Sequence, residues 1–172
     1  PFGFKVVEEM NKQGVMIDIS HVSDAAFMKV LELSKAPVVA THSSLRHFTP
    51  GWERNVSDEM LIALAENGGV IQLCFGSDFV ANRKDNPDIE VSVKNVVDHI
   101  DRVRDLVGID HVGFGSDFDG EVPLPEDIND VSKFPNLIEE LLIRGYTESE
   151  IDKILNKNIL RVWKEVRALA DV

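Results

Sequence analysis

Cysteine is almost absent from the sequence. The only one, Cys74, excludes a disulfide within the 172-residue chain. A chain without disulfides is typical of a reducing compartment, so we expect a cytoplasmic protein. Cys74 lies within the apolar stretch GVIQLCF, which favours a buried small side chain over a reactive thiol.

Long apolar runs and basic side chains are also scarce. No run approaches the ~20 apolar residues that a bilayer span requires, and no secretory signal is recognisable, so we expect no membrane segment. Only 18 lysines and arginines accompany 30 acidic residues, which gives a formal charge of -12. This charge would be repelled by a phosphate backbone, which argues against nucleic acid as a partner. Small substrates or cationic molecules are more compatible with this charge as binding partners than nucleic acid is.

Apolar runs alternate with helical patterns along most of the chain. This alternation predicts βαβ units and a parallel sheet within one segment, residues 1–172. An open sheet and half of an eight-stranded barrel both satisfy the pattern. The predicted strands are 15–19, 37–41, 69–75 and 110–117, and the predicted helices are 4–13, 23–34, 57–67, 91–108, 135–146, 147–155 and 158–169.

Each of the first two predicted strands ends in a histidine, His21 in MIDISH and His42 in VVATH. The carboxyl ends of neighbouring parallel strands meet at one edge of a sheet, so both imidazoles are expected there. Two neutral imidazole nitrogens could then bind one metal ion at the ~2.0 to 2.1 Å typical of zinc. The alternative is that each ring only bonds a backbone carbonyl.

The fourth predicted strand ends in GFGSDFDG, which places Asp117 and Asp119 at the same edge. A carboxylate beside a metal ion could bind it or exchange protons with bound water. Alternatively, either residue could stabilise a turn before Gly120, and Asp119 suits that role better.

The long loop after His42 carries Arg46, His47 and Arg54. In so acidic a chain, a loop arginine at this edge is a candidate for binding a substrate carboxylate through its planar set of donors. A loop arginine is more often simply solvated. For His47 we favour a solvated surface position.

Two other histidines are not expected to bind a metal. The sequence HID at 99–101 looks like a His-x-Asp metal motif, but it falls within a predicted helix. Residues two apart on a helix point in different directions, so His99 and Asp101 would not converge. His111 begins its strand and therefore lies at the opposite edge of the sheet.

Several longer stretches resemble the membrane dipeptidase family, also called renal dipeptidase. The resemblance covers almost the whole chain, and the last of these stretches are highly specific. It implies the C-terminal half, strands five to eight, of a (β/α)8 barrel of the metal-dependent hydrolase type, followed by extra helices. The stretches are PFGFKVVEEMNKQGVMIDISHVSD, THSSLR, RNVSDEMLIALAENGG, VDHIDRVRDLVGIDHVGFGSDFDG and FPNLIEELLIRGYTESEIDKILNKNILRV.

The resemblance also implies roles for individual residues. His21 and His42 match the two histidines that bind the second of two zinc ions, and Arg54 matches the arginine that holds the substrate carboxylate. Asp117 matches the acid on strand eight, which handles a proton while a metal-activated hydroxide cleaves a dipeptide.

Other site residues of the family have no counterpart in this sequence. They comprise a His-x-Asp pair for the first zinc ion, a glutamate that bridges both ions and a further histidine that contacts the substrate. We therefore expect the chain alone to be inactive and to pair with the missing N-terminal half or with another copy of itself, as a homo-oligomer. The alternatives are a non-enzymatic acidic binding or assembly module, or a related metal-dependent amidohydrolase.

Overall fold

The computed structural model describes residues 2–120 and 122–170, and its helices follow the local sequence signals. Ser23, Ser57 and Thr147 cap three helices with their side-chain oxygens. The helices are α1 (Phe2–Gln13), α2 (Asp24–Leu33), α3 (Asp58–Glu66), α4 (Ser77–Val80), α5 (Val93–Val107), α6 (Phe134–Ile143), α7 (Glu148–Asp152) and α8 (Asn158–Ala168), with a π-helical segment, Lys153–Lys157, between the last two.

The strands form one parallel sheet, as the alternation predicts. In the described part of the chain they are β1 (Val39–Ser43), β2 (Val70–Cys74) and β3 (Val112–Ser116), in that spatial order. Val39 pairs with Val70, and Ile71 pairs with Val112. All three carboxyl ends therefore point toward the same edge of the sheet.

The first predicted strand, 15–19, is largely wrong as a strand. Only Asp18 forms a bridge, parallel to β1 at Val39. Ile19 N donates to Val39 O at 2.8 Å, and Val39 N donates to Ile17 O at 3.0 Å. The segment thus lies beside β1 as an extended edge, with too few paired residues for a full strand.

The sheet is strongly curved at Gly115. A Cβ atom on this residue would lie 2.2 Å from the carbonyl oxygen of Thr41, although β2 separates the two strands. Only glycine permits such a close approach of two backbones. The curvature brings the carboxyl ends of β1 and β3 toward each other.

The helices cover the sheet through a continuous apolar core. Ile71 and Leu73 of β2 are buried against Val97 and Ile100 of α5, within a cluster that extends from Val7 to Ile154. A smaller cluster joins Ala36 and Val70 to Val162 and Val166 of α8. No helix within residues 2–120 and 122–170 is long and apolar enough to cross a membrane.

Candidate metal-binding and active site

His21 and His42 meet at the carboxyl edge of the sheet. His21 follows the extended edge segment, His42 lies in β1, and their Nε2 atoms are 2.7 Å apart. His21 has a positive φ of 66°, a conformation that costs a residue with a side chain free energy and is enriched at functional sites. The structure thus brings together the two imidazoles that the sequence places at this edge.

Thr41 contacts the Nδ1 side of the His42 ring, and Asp18 in turn contacts Thr41. Thr41 Oγ1 lies 2.8 Å from His42 Nδ1 and donates to Asp18 Oδ2 at 2.6 Å. Burial alone would raise the pKa of Asp18, but hydrogen bonds from the Thr41 hydroxyl and from the N–H groups of Ser20 and Thr41 hold that pKa below its ordinary value. Asp18 is therefore an ionised acceptor at neutral pH.

The loop between β1 and α3 carries Arg54 back to the histidines. Leu45 and Val56 form a parallel bridge that closes the loop. Asn55, which is buried, donates to Thr49 Oγ1 at 2.7 Å and to Phe79 O at 2.8 Å. These contacts fix the residue next to Arg54, so its position does not depend on a flexible loop tip.

The Arg54 guanidinium lies directly against the imidazole pair. Nη2 is 3.0 Å from His21 Nε2 and donates to His42 O at 2.6 Å, while Nη1 donates to Ser43 Oγ at 3.0 Å. The Cζ atom of the Arg54 guanidinium lies 5.4 Å from the centre of the Phe79 ring, within the range of a cation–π contact. Burial lowers the pKa of Arg54, although not enough to neutralise it. Burial, together with the positive charge of Arg54, also lowers the pKa of His21.

Arg46, the other arginine candidate, has a structural role. Nη1 and Nη2 donate to the two carboxylate oxygens of Asp24 at 2.8 Å each, and Nε donates to Asn55 O at 3.0 Å. This bidentate pair fastens the loop to the first turn of α2. Because its guanidinium is already paired with the Asp24 carboxylate, Arg46 is the weaker candidate for binding a substrate carboxylate.

Asp117 lies at the same edge, at the end of β3, without a direct hydrogen bond to either histidine among the described residues. Its backbone has a positive φ of 67°. The Asp117 side chain packs against Gly120. A Cβ atom on residue 120 would lie 2.7 Å from Asp117 Oδ2. Cys74 Sγ stands 3.8 Å from the same oxygen, a weak contact. Burial lowers the pKa values of both His21 and Arg54, and the negative charge of Asp117 partly opposes that lowering, so it acts on the pair through space.

The remaining histidines and Cys74 lie where the sequence analysis places them. His99 is 1% exposed, accepts from Leu45 N at 3.1 Å and donates to Val80 O at 3.0 Å, while His111 bonds Gly69 O. His47 is exposed. Cys74 is fully buried, which raises the pKa of its thiol to about 11. These groups are structural.

The two imidazoles suit a zinc ion as part of its ligand set. Zinc with two imidazole ligands at about 2.0–2.1 Å in tetrahedral geometry holds the nitrogens about 3.3 Å apart. The observed separation of 2.7 Å is shorter, so the two nitrogens would have to move apart to hold zinc. Within residues 2–120 and 122–170, however, no group of three or more histidine, cysteine, aspartate or glutamate side chains is arranged to hold a metal. Further ligands would have to come from elsewhere.

Sequence patterns do not identify Asp18, Thr41 or Ser43 as part of this site. Asp18 is the one charged residue in the apolar run VMIDI, and its carboxylate accepts a hydrogen bond from Thr41. That partner belongs to the next strand, 23 positions along the chain, so the run alone does not reveal it.

Fold and site together define a parallel α/β protein with paired imidazoles at its carboxyl edge. A sequence model described as membrane dipeptidase (Peptidase family M19) matches residues 1–172. The chain therefore belongs to the membrane dipeptidase family, which is a family of metallopeptidases.

Solved structures of related proteins superpose on nearly the whole chain. The probable dipeptidase PvdM from Pseudomonas aeruginosa is 29% identical with a TM-score of 0.91, over 99% of this chain and 55% of that protein. A metallopeptidase from Rhodobacter sphaeroides, bound to a phosphinate mimic of the dipeptide L-Ala-D-Ala, is 35% identical with a TM-score of 0.87, over 95% and 46%. An amidohydrolase from Pseudomonas aeruginosa is 30% identical with a TM-score of 0.86, over 97% and 57%. The chain spans about half the length of these proteins.

Proposed function

We propose that this chain is the C-terminal half of a zinc-dependent dipeptidase. The observation that carries the proposal is the 2.7 Å approach of the His21 and His42 Nε2 atoms, with Arg54 Nη2 3.0 Å from the former. A paired imidazole site with a fixed cation beside it suits hydrolysis of a small substrate that carries a carboxylate. Membership of the membrane dipeptidase family supports the same activity.

In this proposal residues 1–172 form one segment that supplies strands five to eight of a (β/α)8 barrel. The extended edge segment beside β1 and the strand β3 stand at the two sides of the sheet. Open strand edges need cover, and the missing N-terminal half or a second copy of the chain would provide it. The curvature at Gly115 supports a sheet that closes into a barrel.

His21 and His42 would hold the second of two zinc ions in the complete enzyme. Bound zinc supplies a water of lowered pKa and polarises the scissile carbonyl. The imidazoles contribute neutral nitrogen ligands. Thr41 and Asp18 hold the His42 ring in place through its Nδ1 atom.

Arg54 and Asp117 would act on the dipeptide itself. The Arg54 guanidinium would bind the free C-terminal carboxylate, and this anchoring would restrict the enzyme to short substrates. The Asp117 carboxylate would take up a proton from the attacking water and deliver it to the leaving amine. The bound ligand of the Rhodobacter sphaeroides relative makes L-Ala-D-Ala a suitable first substrate to test.

Zinc titration of the 172-residue chain by calorimetry tests the site. We expect one site of modest affinity, because only two ligands are present, and at least a tenfold loss in the His21→Ala and His42→Ala variants. His47→Ala is the matched control, since His47 is exposed on the neighbouring loop. Equal zinc affinity in all four proteins would contradict the proposal.

An activity assay tests the half-barrel assignment. The purified chain alone should not hydrolyse Gly-Leu or L-Ala-D-Ala, because its ligand set is incomplete. Turnover by the isolated chain would contradict that assignment. A non-enzymatic binding module would instead keep its partner when both histidines are replaced, and an amidohydrolase acting on substrates without a free carboxylate would not need Arg54. The cytoplasmic location expected from the sequence stays a prediction.

A further inference from the structure

We propose that Asp18 is a positioning residue for His42, acting through Thr41. Its carboxylate selects the His42 tautomer that carries its proton on Nδ1 and a lone pair on Nε2. The His42 tautomer is a property of the chain without metal. Only its consequence for zinc binding rests on the function proposed above.

The direction of the hydrogen bonds follows from the number of protons available. Asp18 is ionised and can only accept, so the single proton of the Thr41 hydroxyl goes to Asp18 Oδ2, 2.6 Å away. Thr41 Oγ1 then has only lone pairs for His42 Nδ1 at 2.8 Å. His42 must donate from Nδ1, which leaves its Nε2 as an acceptor.

Hydrogen bonds hold the Asp18 carboxylate in the orientation that makes Thr41 donate to it. Its Oδ1 atom accepts from Ser20 N at 2.9 Å and from Thr41 N at 3.1 Å, which turns Oδ2 toward the Thr41 hydroxyl. The backbone of Asp18 is itself bridged to Val39 of β1. The carboxylate and the hydroxyl are therefore fixed on paired segments.

The arrangement has a direct consequence for the His21 ring. Arg54 has no lone pair, so its Nη2 atom must donate to His21 Nε2 across 3.0 Å. That contact engages the single lone pair of His21 Nε2, so neither Nε2 atom carries a proton although the two lie 2.7 Å apart. Two unprotonated imidazole nitrogens at this distance repel unless they share a cation, so by fixing the His42 tautomer Asp18 influences cation binding at a position that it does not touch.

The Asp18→Asn substitution tests this inference. It keeps the shape of the side chain but can place an NH2 donor where Asp18 Oδ2 accepts from Thr41. The asparagine oxygen can still accept from Ser20 N and Thr41 N, and its NH2 group then faces the Thr41 hydroxyl. Thr41 would accept from Asn and donate its own proton to His42 Nδ1. The His42 proton would move to Nε2, the atom proposed to bind zinc.

Long-range ¹H–¹⁵N NMR of the imidazoles at pH 8.5, without metal, reads the tautomer directly. We expect wild-type His42 to carry its proton on Nδ1 and the Asp18→Asn variant to shift most of it to Nε2. Thr41→Val should also lose the preference, whereas Thr41→Ser, which keeps the hydroxyl, should retain it. His99 is the internal check of folding, because its contacts with Leu45 N and Val80 O fix its proton on Nε2 in every variant.

Calorimetric titration with zinc chloride provides the second readout. Zinc affinity should fall by about 10 to 100-fold in Asp18→Asn and Thr41→Val and stay near wild type in Thr41→Ser. A wild-type His42 with its proton on Nε2, or an unchanged tautomer in Asp18→Asn, would overturn the inference. If the tautomer shifts as expected but the wild-type chain binds no zinc, Asp18 is confirmed as the positioning residue and the proposed zinc site fails.

Discussion

Arg54 Nη2 lies 3.0 Å from His21 Nε2, so a permanent positive charge stands against a candidate metal ligand. Arg54 belongs to a loop that is pinned by Asn55 and by the pairing of Leu45 with Val56. The close contact between cation and imidazole suggests that a substrate carboxylate would bind within reach of both groups.

The Arg54→Lys variant should lose recognition of the free carboxylate. Lysine keeps the charge but not the planar pair of donors, and hydrogen bonds to charged groups contribute about 1.5–3 kcal/mol. In the complete dipeptidase proposed above, we expect kcat/KM for L-Ala-D-Ala to fall by about 10 to 100-fold. The same assay on the C-terminal amide of this dipeptide is the control. An equal loss on acid and amide would mean that Arg54 does not bind the carboxylate.

The Arg46→Ala variant should lower stability and leave zinc affinity unchanged. It removes the bidentate pair with Asp24 and the bonds to Asn55 O and Glu53 O. Because Asp24 is half exposed, we expect a loss of only about 1–2 kcal/mol in the free energy of unfolding. Urea unfolding measures this loss, and calorimetry with zinc checks the site. Lower zinc affinity without lower stability would contradict a purely structural role.

Stability should fall as the pH drops from about 6.5 to about 4 because of His99. Burial lowers the pKa of His99 to about 4, from 6.5 in the unfolded chain. The unfolded state therefore takes up the proton first, so the contribution of neutral His99 is complete above pH 6.5 and lost as the pH falls toward 4. We expect a slope of up to about 1.4 kcal/mol per pH unit and a total of about 3 kcal/mol.

Urea unfolding of the wild type and of His99→Asn at pH 8, 6 and 5 measures this contribution. Asparagine can accept from Leu45 N and has no titrating group, so the variant should be less stable at pH 8 but should lose less stability on acidification. His47→Asn is the control, since His47 is exposed. Parallel pH profiles for the wild type and His99→Asn would show that His99 is not the responsible group.

The Gly115→Ala substitution should destabilise the curved sheet. The new Cβ atom would lie 2.2 Å from Thr41 O, and two strand backbones would have to separate. We expect a loss of at least about 2 kcal/mol in the free energy of unfolding. Gly3→Ala is the matched control, because, apart from the backbone of its own helix and its chain neighbours, none of the described atoms lies within 4 Å of its Cβ position. Equal stability of the two variants would show that the sheet is not tightly curved at this point.

The sequence predicts the helices well because their signals are local. The predicted helix 57–67 is found as Asp58–Glu66 with its Ser57 cap, and the HID sequence at 99–101 falls within a helix, as predicted, where His99 is buried. The extended motifs also predict the membrane dipeptidase family, which the family match confirms. The sequence predicts a loop between the third predicted strand and the next helix, whereas the structure has the short helix α4 there.

Features that depend on contacts between distant residues are the ones that sequence patterns miss. The predicted strand 15–19 has the right pattern, but strand formation depends on paired neighbours, and only Asp18 forms a bridge. The partners of Asp18 and Arg46 lie more than 20 positions away. Residue patterns do not distinguish Arg46 from Arg54 as the arginine that binds a substrate carboxylate. Only the fold shows that the Arg46 guanidinium is paired with Asp24.

A crystal structure of the chain soaked with zinc, with anomalous scattering data collected at the zinc edge, tests the shared cation site most directly. We expect one anomalous peak at about 2.0–2.1 Å from the Nε2 atoms of both His21 and His42, with the rings moved slightly apart from their present 2.7 Å contact. Zinc bound only at other residues, or bound to one imidazole while the other turns away, would contradict the account.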